Sequence, residues 1–161
     1  MHIIIVGCGR VGAQLGIMLS DLTHNIVVVD KNPKSFRRLG AMFNGITITG
    51  IGFDPEILKR AGIERADAVA AVTNGDNSNI MISQIAKKVF QIPKVITRIY
   101  DPERAEIFKS FGLETICTTV IAAQIFKNFI LHQNDTLNLA VGKDIVNLFY
   151  HIDSNIEKKL T

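Results

Sequence analysis

Ile3-Ile4-Ile5-Val6-Gly7-Cys8-Gly9-Arg10-Val11-Gly12 is the stretch that decides how this chain folds. Four apolar residues of strand length run straight into a G-x-G-x-x-G spacing. The next segment, 10–22, carries apolar residues at 11, 15, 18, 19 and 22, close to helical spacing. Each glycine has its own job in such a strand–turn–helix unit. Gly7 permits the tight turn, Gly9 lets a phosphate approach the backbone, and Gly12 lets helix and strand pack closely. The helix start then offers unpaired N–H groups and a positive dipole end to an anion.

Outward from this unit the chain keeps one rhythm. Runs rich in Val, Ile and Ala at 26–29, 46–48 and 68–72 have strand length and read as strands covered on both faces. Segments of helical character follow each of them. One spans 33–43, with Asn32 as cap and Pro33 at its first position, and another spans 55–61, capped by Asp54 and stopped by Gly62. The segment 77–90 follows the fourth strand. A strand at 95–99, a helix at 102–111 opened by Asp101, and a short sixth strand at 114–117 complete the series. Strand–helix alternation with short connections predicts a Rossmann-type, doubly wound parallel α/β sheet of six strands in the order 3-2-1-4-5-6.

The same topology selects the site, because ligands of such sheets lie at the carboxyl ends of the strands. Asp30 stands eighteen residues past Gly12, at the end of the second strand, where a carboxylate accepts from both ribose hydroxyls and repels a 2′-phosphate. Its bland role would be to cap the helix that follows. Lys31 and Asn32 adjoin it. Lys31, Lys34, Arg37 and Arg38 form the only basic bunch, either a solvated helix face or a set that neutralises phosphate. Arg10, inside the loop, either clamps phosphate or reaches a partner's site. Gly50, Ile51 and Gly52 follow strand three, Val72, Thr73 and Asn74 follow strand four, and Arg98 lies late in strand five. Thr73, Asn74, Asp76 and Asn77 are equally good turn formers and helix caps. The expected cofactor-binding set is Gly7, Cys8, Gly9, Arg10, Val11 and Gly12 of the loop, with Asp30, Lys31, Asn32, Gly50, Ile51, Gly52, Val72, Thr73, Asn74 and Arg98; no catalytic residue and no metal ligand is expected.

Composition narrows the class. The chain has 161 residues, 47% hydrophobic and 20% charged, with a formal net charge of +3. That suits a globular domain with its own core and argues against disorder. The scattered cations argue against a nucleic-acid binder. No apolar run reaches the length of a membrane span. The two cysteines, Cys8 and Cys117, lack metal-ligand spacing and read as reduced, buried thiols.

The helix expected at 120–133 differs from the others. Gln124, Lys127, Asn128 and His132 form one narrow polar stripe, and apolar residues cover nearly all the rest. Such a helix is either central in a larger core or packed across a second molecule. Beyond it, 136–141 and 144–152 read as two antiparallel strands joined at Gly142-Lys143. The chain therefore divides into a nucleotide-binding domain at 1–133, and a linker with the start of a second domain at 134–161.

The glycine loop, Asp54-Pro55-Glu56-Ile57-Leu58-Lys59-Arg60-Ala61-Gly62-Ile63, Ala66-Asp67-Ala68-Val69 with Thr73, and Val95-Ile96-Thr97-Arg98-Ile99-Tyr100-Asp101-Pro102 together resemble the N-terminal domain of the RCK/KTN family, of TrkA-N type. Its members regulate Trk/Ktr potassium uptake systems or gate potassium channels. The resemblance covers roughly residues 1–133. It implies a cytoplasmic, non-catalytic domain that binds NAD(H), ATP or ADP and acts on a potassium-translocating membrane protein. It also implies a homodimer through helix 120–133, ring assembly, and a C-terminal ligand domain beginning near 136–152. Two departures stand out. Many members carry Asp, able to bond the adenine amine, where this chain has Ile51. Several carry Pro-Glu, whose Glu helps bind a metal, where this chain has Thr119-Val120.

Three functional classes follow: a regulatory nucleotide sensor, an adaptor with a vestigial site, or the cofactor half of an NAD-dependent oxidoreductase. The last needs a general acid or base near the nicotinamide. Neither Tyr100 nor Tyr150 has Lys four residues later, and His2, His24, His132 and His151 are dispersed.

Overall fold

The computed structural model describes residues 1–131 in full, and the backbone of two further strands, Thr136–Val141 and Asp144–Phe149. Six strands form one all-parallel sheet: β1 (His2–Val6), β2 (Asn25–Asp30), β3 (Ile46–Thr49), β4 (Ala68–Ala71), β5 (Lys94–Arg98) and β6 (Glu114–Ile116). Their order is β3-β2-β1-β4-β5-β6, as the alternation predicts. The order reverses direction between β1 and β4, so a crevice opens beyond the carboxyl ends of these two strands.

Period-two alternation sorts the strand side chains into two cores. Ile4 and Val6 of β1, Val27 and Val29 of β2, and Val69 and Ala71 of β4 pack with Leu58, Ile82 and Ala86, beneath α2 (Pro55–Arg60) and α3 (Asp76–Gln84). On the other face Ile3, Ile5, Ile26 and Val28 pack with Ala13 and Leu39, beneath α1 (Arg10–Ser20) and the segment Pro33–Leu39. The helix α4 (Pro102–Ser110) leads into β6, and α5 (Thr118–Ile130) leaves it.

The capping residues act as expected. Asn32, Asp54 and Asp101 accept from the backbone N–H groups of Lys34, Glu56 and Arg104, and Pro follows each of them. Gly62 ends the α2 turn in the left-handed region at φ 79°, and a short 3-10 turn at Ile63–Arg65, unforeseen from the sequence, follows it.

Two elements and one side chain depart from expectation. The segment after β2 is a 3-10 helix, Pro33–Leu39, and not an α-helix to 43. The Ser35 carbonyl is turned to the Cys8 thiol (3.4 Å) and the Arg38 guanidinium, and Gly40 at φ 70° ends the run. The helix expected at 77–90 is α-helical only to Gln84 and continues as a π-turn, Ile85–Val89, closed by the Phe90 N–H on the Ile85 carbonyl. Cys117 is half-buried at the head of α5, so only Cys8 is the buried thiol expected of both.

α5 buries part of its polar stripe and exposes part of its apolar face. Asn128, of its polar stripe, is buried and accepts from the Gln124 amide at 3.3 Å. Phe126 and Ile130 are 69% and 74% exposed. On the α1 side of the sheet, an apolar groove of about 390 Å³ runs between α1 and β4–β6, lined by Val11, Leu15, Leu19, Ala70, Ile96 and Ile116 among others. β7 (Thr136–Val141) and β8 (Asp144–Phe149) pair antiparallel with one another, as read. Their connection at 142–143, residues 132–135 and everything from 150 onward lie outside the described residues.

Candidate functional site

The crevice at the reversal of strand order is a polar cleft of about 510 Å³, continuous in its lining with a smaller slot of about 110 Å³. Gly7, Asp30, Lys31, Thr73 and Asn74 line both. Its floor is the glycine loop. Gly7 sits at φ 108°, and a Cβ there would lie 2.7 Å from the Thr73 nitrogen, so only glycine lets β1 turn against β4. A Cβ on Gly12 would meet the Gly7 carbonyl oxygen at 1.8 Å, which fixes the closeness of loop and helix. Gly9 is different: a Cβ there meets nothing within 4 Å. Its lack of a side chain leaves space on the cleft side, where an anion would approach. No side chain caps α1, so the first N–H groups of that helix remain for such an anion.

Asp30 is half-buried at the end of β2 and braces the loop. Its Oδ2 accepts from the Cys8 N–H at 2.7 Å and its Oδ1 from the Asn32 N–H at 2.8 Å. It therefore does not itself cap the next helix; Asn32 does. Each carboxylate oxygen keeps a second lone pair toward the cleft, enough for a ribose diol. Burial, reinforced by the Asp30 carboxylate and opposed by Arg38, pushes the Cys8 thiol above its ordinary value. It is a protonated packing group beneath the loop.

Arg98 is the most unusual charge in the molecule. It is 7% exposed, its guanidinium donates to the Thr73 carbonyl and lies 4.4 Å over the Tyr100 ring, and its Nε finds no partner. Among the described residues no carboxylate pairs with it; the ion pairs are Lys59–Glu56 and Lys94–Glu114. A buried, unneutralised cation is costly unless an anion joins it. Arg98 lines the cleft with Arg10, Lys31 and Arg38, against the single carboxylate of Asp30. The cleft is thus built for an anionic ligand.

Of the residues expected from sequence, all but Cys8, Gly12 and Gly50 line the cleft or the slot. Those three lie beneath: Cys8 under the loop, Gly12 against Gly7, and Gly50 against Ile57. Asp76 turns out to be structural, accepting from the Tyr100 and Asp101 N–H groups. The sequence reading missed Ser35, Tyr100 and Thr118 in the cleft, and Phe53 and Ser78 in the slot. It also missed Asn79, fully buried in α3. Asn79 Oδ1 accepts from the Thr73 N–H (2.8 Å) and hydroxyl (2.7 Å), and Nδ2 donates to the carbonyls of Thr73 (3.1 Å) and Arg98 (2.9 Å). One amide therefore locks the ends of β4 and β5 together. Topology alone signals Phe53, in the loop after β3, and Ser78, in the first turn of α3 after β4; nothing local marks Asn79.

The sequence model of the TrkA-N domain matches residues 3–119. The Trk system potassium uptake protein TrkA of Streptomyces coelicolor is 51% identical over 118 residues, covering 73% of this chain and 53% of that protein. The chain spans about half the length of the curated relatives it matches first. Among solved structures, the AMP-bound C-terminal domain of Kef from Shewanella denitrificans aligns with a TM-score of 0.68 at 20% identity, covering 82% of each chain. The GsuK channel bound to NAD aligns with a TM-score of 0.66 at 18% identity, covering 86% of this chain and 25% of that one. At such identities these structures speak for the fold. The extent of the sequence match settles the family, and the chain belongs to the TrkA-N domain family.

Proposed function

We propose that this chain is the nucleotide-sensing part of a regulatory subunit of a potassium uptake system. It binds an adenine nucleotide, NAD(H) or ATP/ADP, without turning it over, and passes its occupancy to a potassium-translocating membrane protein. Arg98 carries this reading: a buried cation with no counter-ion among the described residues, lining one cleft with a glycine loop and an uncapped helix, calls for a phosphate. The phosphates lie over residues 7–12, Arg10 and Arg38 flank them, and Asp30 holds the ribose. The relative from Streptomyces coelicolor is named for potassium uptake, and the two solved structures hold AMP and NAD, which agrees with this assignment.

The same reading makes the protein a homodimer, and through it a higher ring. α5 turns Phe126 and Ile130 outward while the chain leaves an apolar groove open between α1 and β4–β6. Seating the exposed face of one on a second copy removes both apolar surfaces from water. Val11, Val72, Arg98 and Thr118 line the groove and the nucleotide cleft alike, so occupancy of one is felt at the wall of the other. Residues 134–161 are then the linker and the beginning of a second unit; β7 and β8 form a sheet of their own. The protein works in the cytoplasm, held at the membrane by its partner. No helix among the described residues is long and apolar enough to cross a membrane.

The test is a thermal-shift panel with NAD, NADH, ATP, ADP and AMP, followed by assay of each ligand for turnover. At a hundredfold excess over Kd a ligand adds about 2.7 kcal/mol of stability, a shift of several degrees for a domain of this size. If none raises the melting temperature at millimolar concentration, the sensor assignment is wrong.

A further inference from the structure

Asn79 of α3 is fully buried and lines neither the cleft nor the slot, so it touches no ligand held there. Its amide nevertheless serves both strand ends that carry the site. Oδ1 accepts from the Thr73 N–H and hydroxyl, and Nδ2 donates to the carbonyls of Thr73 and Arg98. These partners fix which end of the amide is which. Turned over, it would set its oxygen against two carbonyls and its NH2 against an N–H. Only a group with an acceptor on one side and a donor on the other fits.

Thr73 passes this placement on in two directions. Gly7 of the glycine loop packs so closely on it that a Cβ would fall 2.7 Å from the Thr73 nitrogen. The Thr73 carbonyl is also where the Arg98 guanidinium rests, so Asn79 and Arg98 donate to one and the same oxygen. Arg98 is thereby held at both ends: its own carbonyl by Asn79, its guanidinium by a carbonyl that Asn79 holds. Asp76, in the first turn of α3, is committed to the N–H groups of Tyr100 and Asp101, and forms no ion pair with Arg98 among the described residues.

The charge at position 79 follows from the same geometry. Aspartate has nearly the shape of asparagine and would keep the acceptor side. Its second oxygen would replace the donor that now shares the Thr73 carbonyl with Arg98. That carboxylate would lie within reach of the guanidinium, as the counter-ion the cation lacks. Resting on the nucleotide reading above, we propose that Asn79 is the positioning residue of the phosphate site: its amide aims Arg98 at the cleft, and its neutrality leaves that cation unpaired for the ligand.

Urea unfolding and titration calorimetry with ADP, on the whole chain, test this. Asn79→Asp is expected to keep a cooperative transition, because the new ion pair offsets the lost donors, and to bind ADP about tenfold or more weakly. Combined with Arg98→Met, the same substitution should lower the urea midpoint further than it does alone, since the carboxylate is then buried without a cation. Asn79→Ser, neutral but too short to reach both carbonyls, carries the affinity test where Asn79→Asp does not fold, and should bind ADP about threefold or more weakly. A merely structural residue lowers the midpoint and leaves the affinity of the folded protein alone. An Asn79→Asp, or failing that an Asn79→Ser, that unfolds cooperatively and binds ADP within about twofold of the parent therefore overturns the proposal. So does a midpoint loss from Asn79→Asp that is the same with and without Arg98. If the parent binds neither ADP nor ATP nor NAD, the nucleotide reading itself has failed, while the unfolding comparison still decides whether residue 79 is coupled to Arg98.

Discussion

Arg98→Met separates a ligand-directed charge from a structural one. The substitution keeps most of the side chain's volume and removes the guanidinium. In the unliganded protein the losses are one charge-assisted bond to the Thr73 carbonyl, ~1.5–3 kcal/mol, and the stacking over Tyr100, ~0.5–2 kcal/mol. Against them stands relief of a cation that is 7% exposed, with an unpartnered Nε and no carboxylate among the described residues; such a charge costs several kcal/mol to bury. The two sides nearly cancel, so unfolding free energy should change by less than ~2 kcal/mol, in either direction.

The liganded protein has no such cancellation. There the guanidinium would face a phosphate, and losing that charge-assisted contact costs ~1.5–3 kcal/mol, or roughly ten- to 150-fold in Kd. Urea unfolding of the free protein and calorimetric titration with the nucleotide it binds give the two numbers separately. A variant that loses more than ~3 kcal/mol of stability while its affinity is unchanged would show that Arg98 serves the fold and not an anion.

Three other perturbations probe the parts around it. Gly9→Ala should leave unfolding within ~0.5 kcal/mol of the parent, since its Cβ enters open space, yet weaken nucleotide binding by overpacking of ~1–3 kcal/mol; Gly12→Ala, which drives a Cβ to 1.8 Å from a carbonyl oxygen, should do the opposite and destabilise the free protein. Equal destabilisation by both in urea melts would contradict the distinct roles given to these glycines. Asn79→Leu strands the Thr73 N–H and two carbonyls, and should cost ~3 kcal/mol or more; a loss below ~1 kcal/mol would mean that the amide is not the clamp. The Cys8 thiol, raised above its ordinary value of 9.0, stabilises the fold fully below that pH, and the contribution fades as pH climbs toward the folded-state value, because the unfolded chain loses its proton first. The stability difference between the parent and Cys8→Ala should therefore shift against the parent above about pH 9, and a constant difference from about pH 8 to 10.5 would refute the assignment.

What the sequence revealed was whatever depends on neighbours along the chain. Period-two alternation in Ile3–Val6 and Ile26–Val29 displays both cores at once, because a parallel strand is apolar on both faces. Asn32, Asp54 and Asp101 announce helix starts because a cap bonds the backbone only two or three residues on. The 3-10 form of Pro33–Leu39 was hidden for the complementary reason. The Cys8 thiol that engages the Ser35 carbonyl is twenty-seven residues away. Asn79 was hidden likewise: as one polar residue among Asp76, Asn77 and Ser78 it carries no local mark, and only the packing of α3 across β4 and β5 sets it against Thr73 and Arg98.

Arg98 and α5 show a third case, in which the sequence supplies a residue but not the sign of its environment. An arginine ending Val95-Ile96-Thr97-Arg98 is compatible with a solvated strand end; burial without a counter-ion among the described residues is what makes it informative. In α5 the sequence counts a broad apolar face and a narrow polar stripe, and ordinary burial would turn the apolar face inward. The fold does so only in part: Ile121 and Ile125 are part-buried, while Asn128 is buried and Phe126 and Ile130 stay exposed. A helix this apolar gains nothing from water on that side. The groove between α1 and β4–β6 is a second apolar surface left open among the described residues. Among the described residues, part of the apolar face of α5 and the groove beside α1 are thus both open, an arrangement that period and composition alone do not reveal.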